Sequence, residues 1–187
     1  MKKIISLMIV LVSFVESRDW INGNIEYIRG LTNTGYTLNK EVISEGRDSF
    51  SAEISHGFKF LPNGKFTMYN DKDNLKVMDT TIFYSMLQKY GYFQMGWNFK
   101  SVNMNGDKEE LSNGFLRYKT REIRKTSISY TYNYKPSEVK EHVVDLNYKL
   151  IRGVPLMIGF QYKRSNYRLK KGDINIDGLF LKAGLTF

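Results

Sequence analysis

Apolar and polar residues alternate with a period of two along most of this chain. In residues 50–60, for example, Phe50, Ile54 and Phe58 fall on one side of an extended strand, and Ser51 and Glu53 fall on the other. A strand with one apolar and one polar face produces this pattern, whereas the 3.6-residue period of a helix would mix the two sets. The same alternation recurs in 93–99, 128–134, 144–150, 156–162 and 179–187. The sequence therefore predicts an all-β protein.

The alternating segments are joined in a way that predicts an antiparallel up-and-down β-barrel. Short turns such as Asn63-Gly64 alternate with polar connections that are mostly longer, so a meander would place all the short turns at one end. Ten strands are expected, and eight or twelve remain alternatives. Alternation at Tyr36, Leu38, Lys40 and Val42 could also continue a strand beyond the membrane. The predicted strands are 19–29, 49–60, 64–70, 77–88, 90–102, 111–120, 124–134, 139–150, 156–166 and 174–187.

The first 17 residues have the pattern of a secretory signal peptide. Lys2 and Lys3 precede an apolar run at 4–15, which is too short to span a bilayer as a helix. The alternative is an N-terminal core helix or strand. We expect a signal peptide at 1–17 and a single barrel domain at 18–187.

The choice between lipid and water decides which face of the barrel is apolar. Export, small polar residues on the polar faces, and a terminal Phe187 that follows apolar residues back to Leu179 all favour a transmembrane barrel with its apolar face outward. The prediction is the outer membrane of a Gram-negative-type bacterium. The expected partners are outer-membrane lipid, lipopolysaccharide near Lys170-Lys171, and the barrel assembly machinery through Phe187. The alternative is a soluble periplasmic or secreted sandwich or lipocalin-like barrel.

The polar faces carry more cations than anions. Nine basic residues against three acidic ones predict a pore that prefers anions, because low-dielectric walls focus the field of the lining. The alternative is that these charges pair with one another and plug the barrel. Because the basic residues are scattered, no nucleic acid is expected as a partner. The predicted pore-lining residues are Lys59, Lys65, Lys100, Arg117, Lys119, Lys125, Lys149, Lys163, Lys182, Glu26, Glu53 and Asp145.

Candidate catalytic and metal-binding groups are sparse. Ser137, Glu141 and His142 lie close in sequence, but nothing in the sequence supplies an oxyanion site for them. Ser55 and His56 are adjacent, so a strand would point them to opposite faces. The acidic residues Asp71, Asp73 and Asp79 lack calcium-loop spacing. We therefore expect no enzyme activity, no cofactor and no metal.

One segment resembles a known family. Residues 47–70 are similar to the second and third strands of the oligogalacturonate-specific monomeric porins, the KdgM-like family, with matches at Arg47, Ser55-His56-Gly57-Phe58 and Asn63-Gly64. The resemblance implies an outer-membrane channel for acidic oligosaccharides with basic residues along its pore. It also implies twelve strands and an arginine-rich lumen, whereas this chain suggests ten strands and mostly lysine besides Arg117.

Two functions follow as hypotheses. The first is a small porin-like channel through which anionic solutes or acidic oligosaccharides diffuse along a basic lumen. The second is a closed structural or adhesive barrel that binds partners through its outward loops, above all through 30–48.

Overall fold

A computed structural model shows twelve β-strands in one antiparallel sheet. It describes residues 21–31, 35–38, 41–45, 48–56, 61–70, 75–104, 106–151, 154–170 and 172–186. The predicted signal peptide, Lys59 and Phe187 lie outside these residues. None of the described residues belongs to a helix long and apolar enough to cross a membrane. The strands are β1 (Ile21–Gly30), β2 (Gly35–Leu38), β3 (Glu41–Glu45), β4 (Asp48–His56), β5 (Asn63–Asn70), β6 (Leu75–Gln88), β7 (Gly91–Met104), β8 (Asp107–Thr120), β9 (Thr126–Lys135), β10 (Val139–Lys149), β11 (Leu156–Leu169) and β12 (Gly172–Thr186).

Ten of these strands close into a barrel. Strand β1 pairs with β4, the strands β4 to β12 pair in sequence order, and β12 returns to pair with β1 from Asn24 opposite Thr186 to Gly30 opposite Phe180. Closure leaves these ten strands without a free edge. The predicted antiparallel barrel and its count of ten strands are confirmed.

The two additional strands form a hairpin at one end of the barrel. β2 pairs with β12 at Ile174–Asp177, just beyond the point where β1 ends opposite Phe180, and β3 pairs back onto β2. The hairpin therefore continues the barrel wall past β1. The alternation at Tyr36, Leu38, Lys40 and Val42 does not continue a single strand, because Tyr36 and Leu38 lie on β2, Val42 lies on the antiparallel β3, and Lys40 lies outside the described residues.

The connections differ from the prediction of short turns at one end and longer loops at the other. At the end of the barrel that carries the hairpin, three connections are only two or three residues long, at 105–106, 136–138 and 170–171. At the opposite end, the connection at 150–155 is longer. The strands β7, β8, β11 and β12 run two to four residues further than predicted, because polar residues can extend an antiparallel ladder beyond the apolar segment. Backbone φ angles of 91° at Gly106 and 62° at Ser137 fit such tight turns. The connection between β1 and β4, which contains the hairpin, is longer than the others between strand ends on its side of the barrel.

The two faces of the barrel wall confirm that its apolar side is outward. Trp97 and Phe99 on β7 are 64% and 46% exposed, whereas Lys100 on the same strand is 2% exposed. Exposed aliphatic and aromatic side chains continue around the barrel, including Ile158 and Leu181. A continuous band of this kind is the surface that a barrel presents to lipid. The soluble alternative required the opposite arrangement.

Close packing inside the barrel depends on Gly96. It lies on β7 between Phe83 on β6 and Phe115 on β8, and a Cβ at this position would collide with the backbone carbonyl oxygen of Ile82. Without a side chain at Gly96, the rings of Phe83 and Phe115 approach to 5.6 Å between centroids. The two buried rings therefore pack against each other inside the barrel at this level.

Candidate functional site

The barrel interior at the end with the hairpin, here called the loop end, is filled by apolar side chains. Eight of the ten barrel strands, all except β4 and β9, turn aliphatic or aromatic residues inward here, and Tyr167, Ile174, Ile176 and Phe180 are fully buried. This set is the apolar plug. Its members are Ile28, Tyr69, Leu75, Val77, Val102, Met104, Leu111, Val139, Tyr167, Ile174, Ile176 and Phe180.

Below the apolar plug lies a buried ion-pair cluster centred on Glu141 of β10. Its carboxylate lies 3.5 Å from Lys100 Nζ and 3.1 Å from Lys163 Nζ. Ser165 Oγ donates a hydrogen bond of 3.0 Å to the same carboxylate, and the Tyr167 hydroxyl donates another. Such hydrogen bonds offset part of the cost of desolvating the charges.

Two further contacts complete this cluster. Lys100 also pairs with Asp79, and Lys163 Nζ donates to the Tyr69 hydroxyl at 3.0 Å. Lys163 is on β11 and Tyr69 is on β5, so this hydrogen bond crosses the interior.

A second charged layer lies closer to the opposite end, the turn end. Lys182 Nζ lies 2.9 Å from both Glu26 Oε2 and Asp145 Oδ1. Gln161 Nε2 and Ser129 Oγ donate to the same Asp145 carboxylate at 2.9 and 3.2 Å. The charged groups of this layer therefore contact one another.

The Arg117–Glu53 pair spans the barrel interior at about the same level. The guanidinium donates two hydrogen bonds of 2.7 and 2.6 Å to the carboxylate, which is the bidentate geometry that arginine favours. Arg117 is on β8 and Glu53 is on β4, with three strands between them. Its guanidinium also lies 5.0 Å from the ring centroid of Phe83 and 5.6 Å from that of Phe115. The pair therefore bridges the interior from β8 to β4.

At the turn end the interior opens into a cavity of about 830 Å³, here called the vestibule. Lys119, Arg121 and Lys125 contribute positive charge to its lining. Lys149 also lines it but is paired with Glu122 at 2.5 Å. The vestibule lies where both described chain ends meet, and its further lining includes Asn22, Asn24, Ser127, Asn147 and Thr186.

The structure brings most of the predicted pore-lining residues into the interior, but in different states. The cations Lys100, Arg117, Lys163 and Lys182 are buried and paired with carboxylates. The acids Glu26, Glu53 and Asp145 are buried and paired with cations of this set. Within the described residues, Lys65 and Lys119 also face inward but have no carboxylate within 4.0 Å. Lys125 and Lys149 lie at the mouth of the vestibule. Lys59 lies outside the described residues.

Two interior acids were missed at the sequence level. Asp79 and Glu141 are both buried in the ion-pair cluster below the apolar plug. Glu141 is four residues before Asp145 on the same strand, so the alternation that placed Asp145 inward also predicts an inward Glu141. For Asp79 the signal was weak, because its neighbours on the same face include the apolar Val77. Deep in the interior, the described residues supply six cations and five anions instead of the expected large excess of cations: Lys65, Lys100, Arg117, Lys119, Lys163 and Lys182 against Glu26, Glu53, Asp79, Glu141 and Asp145.

The candidate catalytic residues do not assemble. Glu141 points into the interior, whereas His142 points outward, where its Nδ1 lies 2.7 Å from the Tyr130 hydroxyl. Ser55 and His56 also separate, with Ser55 donating to Asn22 O at 3.3 Å. Among the described residues no group of three or more His, Cys, Asp or Glu side chains is placed to hold a metal ion. Asp71 and Asp73 lie outside the described residues.

Comparison with known proteins finds similarity in structure only. No family model and no curated protein matches the chain, so the resemblance to the oligogalacturonate-specific porins is not confirmed. Among solved structures, Neisserial surface protein A (NspA) matches with 10% identity over 89% of this chain and 95% of its own, with a TM-score of 0.42. The COG4313 outer membrane channel from Pseudomonas putida F1 matches with 11% identity over 90% and 95%, with a TM-score of 0.43.

A third similar structure is Ail, the attachment invasion locus protein of Yersinia pestis. It matches with 11% identity over 91% of this chain and all of its own, with a TM-score of 0.35. Similarities at this level assign no function to this chain. Its strand pairing and its two faces show a closed ten-strand antiparallel β-barrel with a lipid-facing exterior.

Proposed function

We propose that this protein is a closed outer-membrane barrel that anchors the 31–47 hairpin segment at the cell surface for structural or adhesive binding. The observation that carries the proposal is the bidentate Arg117–Glu53 pair across the interior. Ions cannot pass this level without breaking two charge-assisted hydrogen bonds, and the apolar plug blocks the path again at the loop end.

The hairpin is the part of the loop end best suited to contact a partner. The connections at 105–106, 136–138 and 170–171 are too short to build a binding surface of their own. The strands β2 and β3, in contrast, extend from β12 beyond the end of β1. Under this proposal residues 1–17 are removed on export, the loop end faces outward, and lipid and lipopolysaccharide surround the barrel.

Conductance measurements test closure of the barrel. The purified protein, folded into planar lipid bilayers, should give no single-channel steps because both halves of its interior are filled. Folding is verified on the same sample by its heat-modifiable migration on gels. Stepwise, anion-selective conductance from folded protein would overturn the closed-barrel proposal.

Replacement of the hairpin tests the binding role. A variant with a short Asn-Gly turn in place of residues 35–45 should keep the barrel fold, because these residues pair with only four residues of β12. Cells that display this variant should lose adhesion to immobilised matrix proteins, and cells with Lys76→Gln, a change at an exposed side chain, should keep it. Equal adhesion by both variants would contradict the proposed role of the hairpin.

The second candidate is the anion channel suggested by the sequence. The observation that favours it is the vestibule, where Lys119, Arg121 and Lys125 would attract anionic solutes or acidic oligosaccharides. Such a channel would require the Arg117–Glu53 pair and the apolar plug to move aside, so the conductance experiment decides between the two functions.

A further inference from the structure

We infer that the vestibule is a binding site for a small anionic solute that enters from the turn end and does not cross the membrane. This inference goes beyond the proposed surface function, because it concerns the opposite end of the molecule and needs no open lumen. It starts from the charge of the lining. Lys119, Arg121 and Lys125 line the cavity, and each lacks a carboxylate within 4.0 Å in the described part of the chain.

The acidic residues of the vestibule are already engaged. Glu53 holds Arg117 through two hydrogen bonds, and Glu122 lies 2.5 Å from Lys149. Their direct contacts are therefore with Arg117 and Lys149, while the nearest polar partner of Lys125 is the neutral carbonyl oxygen of Leu150 at 3.4 Å. A cavity with this lining carries an excess of positive charge, which is stabilised when an anion binds.

Lys119 is placed to hold that anion. It is the last inward-facing residue of β8, next to Arg117 on the inner face, and the cross-barrel pair closes the cavity behind it. Its side chain is partly buried, and no hydrogen bond to it is found among the described residues. Partial burial lowers the screening of its charge by water, so an anion at this depth gains more than one at an exposed lysine.

The size and chemistry of the cavity define the ligand class. A volume of about 830 Å³ accommodates a solute as large as a monosaccharide or disaccharide. Asn22, Ser127 and Thr186 add hydrogen-bonding groups around the cations. We therefore expect a hydroxylated solute with a carboxylate or phosphate group, in which the anionic group contacts Lys119.

Titration of the folded barrel in zwitterionic nanodiscs tests the site. Glucuronate, inorganic phosphate and glucose are titrated separately and followed by calorimetry at low ionic strength. Glucuronate should bind and glucose should not, since the two differ in the carboxylate. Binding of phosphate as well would assign the affinity to negative charge alone, and binding of glucuronate without phosphate would assign it to a sugar acid. Both results support an anion site.

Matched variants locate the binding. Lys119→Gln should weaken binding about tenfold or more, the loss expected for one charge-assisted hydrogen bond. Lys76→Gln removes an equally charged but exposed lysine near the opposite end and should leave binding unchanged. Heat-modifiable migration shows that both variants are folded. Absence of binding by the unmodified protein, or equal binding by the folded Lys119→Gln variant, would overturn the inference.

Discussion

The two halves of the barrel interior are filled by different chemistry. At the loop end, aliphatic and aromatic side chains such as Ile176 and Phe180 pack together. Toward the turn end, charged groups form ion pairs, such as Glu141 with Lys163 and Lys182 with Glu26. In apolar packing the loss of stability grows with the number of carbon atoms removed. In a buried ion pair, removal of either partner leaves a buried charge without compensation and is strongly destabilising. The comparison predicts that the same kind of truncation has different costs in the two halves.

The largest effect is expected from removal of the central carboxylate. Glu141→Ala leaves the ammonium groups of Lys100 and Lys163 without the carboxylate between them, and it should lower the free energy of unfolding by about 3–5 kcal/mol. Urea unfolding in lipid vesicles, followed by tryptophan fluorescence, measures the change. Glu138→Ala removes a half-exposed carboxylate that pairs with Lys135 and serves as the control. Equal stability of the two variants would contradict the importance of the buried cluster.

Truncation in the apolar plug should cost somewhat less. Ile176 is fully buried, and Ile176→Ala should lower the free energy of unfolding by about 2–5 kcal/mol, with Ile176→Val at about 0.5–1.5 kcal/mol. The graded series is the signature of apolar packing, and the same urea unfolding measures it. If Ile176→Ala were as stable as the unmodified protein, the plug would not be packed as described.

Paired replacement sharpens the comparison. Arg117→Met alone leaves the buried Glu53 carboxylate without its cation and should destabilise the barrel. Arg117→Met combined with Glu53→Leu should return the free energy of unfolding to within about 1–2 kcal/mol of that of the unmodified protein. A double-mutant cycle by urea unfolding gives the coupling energy. If the double variant were as unstable as Arg117→Met, the contact between the two charged groups would itself stabilise the fold, beyond the absence of an uncompensated charge.

The smallest effect is expected at an exposed ion pair. Lys108 and Glu110 lie 2.6 Å apart, with side chains that are 55% and 73% exposed. Lys108→Ala should change the free energy of unfolding by about 0–1 kcal/mol, because water and salt screen such a pair. A loss as large as that of Glu141→Ala would show that burial does not explain the difference between the sites.

Sequence alternation predicted the barrel wall well because it is a local property. Side chains on a strand point alternately to the two sides, so Phe99 and Lys100 could be assigned to opposite faces from the sequence alone. The ends of the strands were less predictable, because polar residues such as Asp107 and Arg168 pair beyond the apolar segment where hydropathy gives no signal. The expectation of a polar interior likewise failed at Ile174 and Ile176, which face inward.

The sequence by itself determined which face of each strand is apolar, since period-two alternation is a property of single segments, and it predicted ten strands with eight or twelve as alternatives. Only the tertiary structure decided which charged side chains meet inside the barrel. Glu53 and Arg117 are 64 residues apart, and nothing local shows that they meet. Their contact depends on the width and shear of the closed barrel, which all ten strands set together. The same geometry produced the vestibule and left Lys119 with no carboxylate within 4.0 Å among the described residues.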